Sequence, residues 1–177
     1  SNKTKSQGIY RVHDYPDEEK LSSIEKIIKK LGFTQKFYNS KEIHKNINKV
    51  LLLTKNSPEK NLIHTLFIRS MSKAKYSEKN IGHFGLNFQK YTHFTSPIRR
   101  YPDVIVHRKL QEILSNKVLQ NPNTENKCIH LSKREELATK AERSSIKFMQ
   151  VKYMSSKINK IYKGTISGVI ERGLFVE

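Results

Sequence analysis

The apolar pattern of this chain changes period near residue 161, and that change decides its fold class. Before it, apolar residues recur at helical spacing. Leu21, Ile24, Ile27, Ile28 and Leu31 follow a Pro16-Asp17-Glu18-Glu19 start, and Gly32 stands where a C-cap belongs. A second helix is expected from a Ser40 cap through Ile43, Ile47, Val50 and Leu51. A third opens at Ser57-Pro58-Glu59 and carries Leu62, Ile63, Leu66 and Phe67. Residues 72–95 have little periodicity and read as an ordered loop. Ser96-Pro97 reads as the cap and first position of a fourth helix, with Tyr101, Val104, Ile105 and Leu110 on its buried face. Ser132 and Glu135 form a capping-box pattern ahead of a long fifth helix through Tyr153.

Beyond Ile161 the chain alternates over 162–170, turns at Glu171-Arg172-Gly173 and resumes at Leu174-Phe175-Val176. Two strands alone do not make a stable unit, so this hairpin is expected to open a β domain that is cut short. The expected class is α+β: a mainly helical domain over 1–160 and the beginning of a β domain over 161–177.

Charge narrows the function. The 34 Lys and Arg against 16 Asp and Glu give a formal charge of +18 in 177 residues. Such an excess suits a polyanion, most simply nucleic acid, although a Lys-rich solvated surface gives the same count. The single cysteine, Cys128, excludes an internal disulfide and reads as an idle thiol. The polar, basic stretch 1–7 is unlike a signal peptide, and the longest apolar run, 50–53, is too short to span a bilayer. A cytoplasmic protein with no membrane partner is expected.

Between Arg69 and Lys109 nine Lys and Arg face two acids, with Tyr76, Phe84, Phe88, Tyr91, Phe94 and Tyr101 interleaved. Rings that stack on splayed bases and cations that neutralise phosphates have this composition, as do core aromatics with a basic rim. Arg99 and Arg100 stand apart. At a helix start they oppose the dipole, where acids would stabilise, and their planar forks suit a phosphate. His83, His93 and His107 have no carboxylate or second histidine at catalytic or ligating spacing and read as structural. The only aspartates are Asp14, Asp17 and Asp103; the last reads as a structural ion-pair partner. No carboxylate cluster for two divalent ions is present, so the expected metal assignment within the chain is none.

The segment YTHFTSPIRRYPDVIVHR, residues 91–108, resembles the signature of the ribonuclease II family, in the C-terminal half of its catalytic domain. Residues 68–77 and 81–86, and the stretch 9–21, are similar to its bacterial ribonuclease R branch. Gly164 to Val169 with Gly173 to Val176 resembles the opening hairpin of an S-one type OB barrel. The resemblance implies processive hydrolysis of single-stranded RNA from the 3′ end to nucleoside 5′-monophosphates, with Mg2+. By motif position Arg99 matches the family's catalytic arginine, and Glu142, in Ala141-Glu142-Arg143, a glutamate near the terminal nucleotide. RNA contacts are assigned to Tyr91, His93, Thr95, Ser96 and Arg100, to Arg69, Lys73 and Tyr76 before them, and to Phe175 in the hairpin. The family's metal-binding aspartates precede the region that matches, so the fragment is expected to be inactive alone. A non-catalytic RNA-binding or adaptor module on the same scaffold is the alternative; a helical protein-interaction domain with an incidental basic face is a third.

Overall fold

A computed structural model of the chain describes residues 8–37, 42–116, 123–170 and 172–176. The element order is β1 (Tyr10–Val12), α1 (Glu18–Lys30), α2 (Ile43–Leu53), α3 (Lys60–Ser70), β2 (Lys75–Ser77), a 3₁₀ turn (Phe84–Leu86), α4 (Tyr101–Leu114), α5 (Thr124–Ser155), β3 (Ile166–Ile170) and β4 (Gly173–Val176). Helices with two separate antiparallel two-stranded sheets make the fold α+β. The chain divides into two compact units, Ser1–Arg134 and Glu135–Glu177.

The first unit has two cores. Helix α1 starts where local chemistry dictates: the Asp17 carboxylate accepts the Lys20 N–H at 3.1 Å, and Glu18 and Glu19 fill the first turn. It is stopped beside Gly32, whose φ of +89° suits glycine. Its stripe Leu21, Ile24 and Ile28 packs with Ile47 and Val50 of α2, Ile63 and Phe67 of α3, and Phe37 and Phe84. Phe37 meets Phe67 edge-on at 5.2 Å. Each such side chain contributes on the order of 1.5–3 kcal/mol by burial. An exposed ion pair such as Lys45–Glu42 contributes about 0–1 kcal/mol, so the apolar stripe decides the packing. The Ser40 cap expected for α2 lies outside the described residues.

The second core is smaller. Ile9, Tyr76 and Cys128 are buried together, with Ile105, Val106 and Leu131 against them. It joins the β1–β2 pair, in the register Tyr10↔Ser77, Arg11↔Tyr76 and Val12↔Lys75, to α4 and the start of α5. This pairing runs through the stretch read as a loop from sequence; three-residue strands carry no periodic signal. Burial, with the Glu125 and Glu78 carboxylates nearby, pushes the Cys128 thiol up to about 12, which leaves it unreactive.

Two helix starts differ from the sequence expectation. Helix α4 begins at Tyr101 with Arg100 at the N-cap, not at Pro97. A helix begun at Pro97 would carry Pro102 in its interior, with its ring against the Ile98 carbonyl; starting at Tyr101 puts Pro102 in the first turn, where it is tolerated. The buried residues of α4 are Pro102 and Asp103, whereas Tyr101 and Leu110 are exposed. Helix α5 begins at Thr124, so Ser132 lies in its interior. There its hydroxyl donates to the Cys128 carbonyl at 2.8 Å and accepts the Tyr76 N–H at 3.0 Å.

In the second unit β3 and β4 form an antiparallel hairpin, with Val169 opposite Leu174 and an irregularity between Ile166 and Gly168. Leu174, Phe175 and Val176 are all exposed there.

Candidate nucleic-acid interface

The segment from Tyr91 to Tyr101 is irregular, and its shape is set by ties to distant parts of the first unit. The Arg11 N–H donates to the Tyr91 carbonyl at 2.8 Å, and the Thr92 hydroxyl to the Ile9 carbonyl at 2.7 Å. His93 Nδ1 and the Tyr76 hydroxyl are hydrogen-bonded at 2.8 Å, with Tyr91 edge-on to the His93 ring at 5.7 Å. Helix α4 holds the next stretch. His107 Nε2 donates to the Phe94 carbonyl at 2.7 Å, and the two rings lie 4.3 Å apart.

Asp103, one turn before His107, is fully buried. Its Oδ2 accepts the Ser96 N–H at 2.8 Å and Arg100 Nη2 at 2.9 Å. Burial opposes its charge, but the Ser96 N–H, the Arg100 guanidinium and nearby His93 outweigh that cost. Together they hold the carboxyl below its ordinary range. The Arg100 N–H also donates to the Ser96 carbonyl at 3.1 Å, which closes a turn over 96–100.

The two arginines therefore differ. Arg100 is half-buried, its side chain 24% exposed and spent on Asp103. Arg99 is exposed beside Ile98, which is 98% exposed. A guanidinium presented this way, just before the N-terminus of α4, can accept a phosphate in a bidentate grip.

The structure brings Tyr76, Tyr91 and His93 together in one set of contacts, gathers Ser96 and Arg100 on Asp103 in another, and leaves Thr95 exposed on the loop between them. Tyr76 is only 4% exposed, with the Arg11 guanidinium 4.7 Å from its ring centre, so it serves the core side of the network. Arg69, in the last turn of α3, and Lys73, just beyond it, are exposed. Glu142 and Phe175 are exposed residues of the second unit. Asp103 and His107 gain the largest role relative to the sequence reading. Their signal was the spacing: an acid three residues after Arg100 and a histidine four further on, facing one loop.

Among the described residues no group of three or more His, Cys, Asp or Glu is placed to hold a metal ion. The carboxylate at this loop, Asp103, is buried and already receives two donors on Oδ2, so the donor set here does not fit a magnesium site. No helix among the described residues is long and apolar enough to cross a membrane.

The RNB domain family matches residues 1–116, and the chain belongs to that family. It is similar to the ribonucleases R of Aquifex aeolicus (42% identical, 96% of this chain and 24% of that protein) and Escherichia coli (33%, 98% and 23%). The chain thus spans about a quarter of the length of these curated relatives. Among solved structures it resembles Mycoplasma genitalium RNase R in complex with ribose methylated single-stranded RNA. There the TM-score is 0.84 at 28% identity, over 99% of this chain and 29% of that one. It also resembles yeast Ssd1, a pseudonuclease, with a TM-score of 0.60 at 26% identity over 75% of this chain and 17% of that one.

Proposed function

We propose that this chain supplies the phosphate-gripping part of a 3′–5′ exoribonuclease of the ribonuclease R type. The observation that carries the reading is the contrast at the 96–100 turn: Arg99 is presented outward while Arg100 is braced inward on buried Asp103. Similarity to ribonuclease R, including a protein solved with single-stranded RNA, supports the substrate class. On this reading Arg99 contacts the phosphate at the cleavage site and stabilises the charge that develops on its oxygens. Tyr91, Thr95 and Ser96 shape the path of the strand beside it, with Arg69 and Lys73 adding positive charge. Glu142 lies near the 3′-terminal nucleotide, and the β3–β4 hairpin opens an OB barrel on which Phe175 is a candidate stacking ring. The products are nucleoside 5′-monophosphates. The magnesium requirement belongs to the reading too, with ligands outside the described residues.

Arg99→Lys in the full-length protein tests it. A lysine keeps the charge but loses the planar fork, so cleavage should fall by about 100-fold while single-stranded RNA affinity changes less than about threefold. Turnover at the wild-type rate would remove the role assigned to Arg99.

A second reading is favoured by the likeness to a pseudonuclease. In it the scaffold binds RNA without cutting it. Full-length protein that binds single-stranded RNA with steep salt dependence, yet releases no nucleotide with magnesium or manganese, would establish it.

A further inference from the structure

We propose that Asp103 is the positioning residue for Arg99, and that Arg100 is its strut rather than a second RNA contact. The inference rests on the phosphate role given to Arg99 above. Arginine has a long, mobile side chain, and a grip on a reacting phosphate tolerates little displacement, so the backbone that carries it must be fixed. Residues 97–99 form neither helix nor strand that would fix them. Backbone bonds from the Arg99 and Arg100 N–H groups to the Ser96 carbonyl, at 3.3 and 3.1 Å, close the turn, and one carboxylate oxygen ties that turn to α4. Asp103 Oδ2 holds Ser96 through its backbone N–H and Arg100 through its guanidinium, which brackets Pro97, Ile98 and Arg99 from both sides. His107, on the same face of α4, holds Phe94 just upstream. Both ends of the loop are thus anchored on two successive turns of one helix.

The energetics point the same way. A buried ion pair repays its desolvation only when every polar atom is satisfied. Here Asp103 Oδ1 and Arg100 Nε are buried and have no hydrogen-bond partner among the described residues. An apolar pair of similar volume would hold α4 to the loop at no greater cost. What an apolar pair would lack is direction: it could not fix the Ser96 N–H and the Arg100 plane relative to the helix. The pair therefore makes sense as a geometric device beneath Arg99.

The test is a double-mutant cycle in the full-length protein, read by single-turnover cleavage of single-stranded RNA. Asp103→Asn keeps the shape and loses the charge that orients Arg100. It should lower the cleavage rate about 10- to 100-fold with RNA affinity changed less than about threefold. In an Arg99→Ala background the same substitution should cost less than about twofold, because the residue it positions is gone. Equal losses in both backgrounds, or a wild-type rate for Asp103→Asn, would overturn the inference. If Asp103→Asn does not fold, Arg100→Lys, at a partly exposed position, decides in the same cycle and by the same criteria. An Arg99→Ala protein with unchanged turnover removes the functional reading itself, and the positioning role with it. Loss in Arg99→Ala without loss in Asp103→Asn removes the positioning role alone.

Discussion

The three-helix core and the 94–107 segment sit in the same unit and are built on opposite rules. In the core, each choice favours its own stability: acids at the start of α1, lysines at its end, an apolar stripe inward and glycine at the stop. In the 94–107 segment a carboxylate is buried, two arginines crowd a helix start, and two polar atoms have no partner among the described residues. Local rules explain most of the first region, although His64 Nε2 of α3 and Gln35 Oε1 are also buried without a partner among the described residues. The second is consistent only if its geometry serves something other than stability, and that is what a functional site costs a fold.

Phe67→Ala gives the largest effect expected on stability and the sharpest way to separate the regions. Phe67 is 2% exposed and packs edge-on against Phe37, so truncation should cost about 3–5 kcal/mol in denaturant unfolding. RNA binding by the fraction that remains folded should be unchanged. Loss of binding in proportion to the lost stability would show that the two regions are not separable.

Tyr76→Phe probes the join between the smaller core and the loop, with a smaller expected effect. The lost hydroxyl leaves His93 Nδ1 without its Tyr76 partner, which should cost about 1 kcal/mol, while the buried ring still fills its place. If His93 merely supports the loop, single-stranded RNA affinity should move less than about threefold. A larger change would mean that the network beneath the loop tunes binding directly.

The same contrast explains what could be read from sequence. Helix α1 was legible because Asp17, the stripe Leu21, Ile24 and Ile28, and Gly32 are all local signals. The start of α4 was not, because Pro97 and Pro102 both satisfy the first-turn rule, and only their conflict within one helix selects the second. The start of α5 was displaced because Ser132 mimics a cap while its hydroxyl is used in tertiary bonding to Tyr76. The pairing of β1 with β2 joins residues more than sixty positions apart, and neither strand is long enough to announce itself. At the site, the arginines were legible by residue type. The division between Arg99 and Arg100 was not, since it depends on which one Asp103 reaches.

The smallest expected effect is that of pH, and it tests whether the helical core's border is as well satisfied as its interior. Three histidines meet there. His13 is held as the Nε2–H tautomer: Nε2 donates to the Ser72 carbonyl at 2.6 Å and Nδ1 accepts the Gly85 N–H at 2.8 Å. The His83 ring lies 5.1 Å from it, and His44 stacks on Phe84 at 3.8 Å. Burial first, and then proximity to His13, lowers the pKa of both His44 and His83; Arg11 adds to the lowering at His83. The folded protein therefore favours the neutral rings, and the unfolded chain takes up protons first as pH falls through about 6.5. Stability should be constant above that range and decline as pH falls through it toward the lower folded values. The lowered carboxyl of Asp103 acts at much lower pH, because its contribution is kept until pH falls through the carboxylate range. A urea midpoint lower at pH 5.5 than at pH 7.5 is thus assigned to the histidine border. His83→Gln should reduce that difference, since the substituted residue no longer titrates. A midpoint equal or higher at pH 5.5 would mean the border tolerates charge, leaving the buried Asp103–Arg100 pair as a clearer case in this unit of a fold tuned against its own stability.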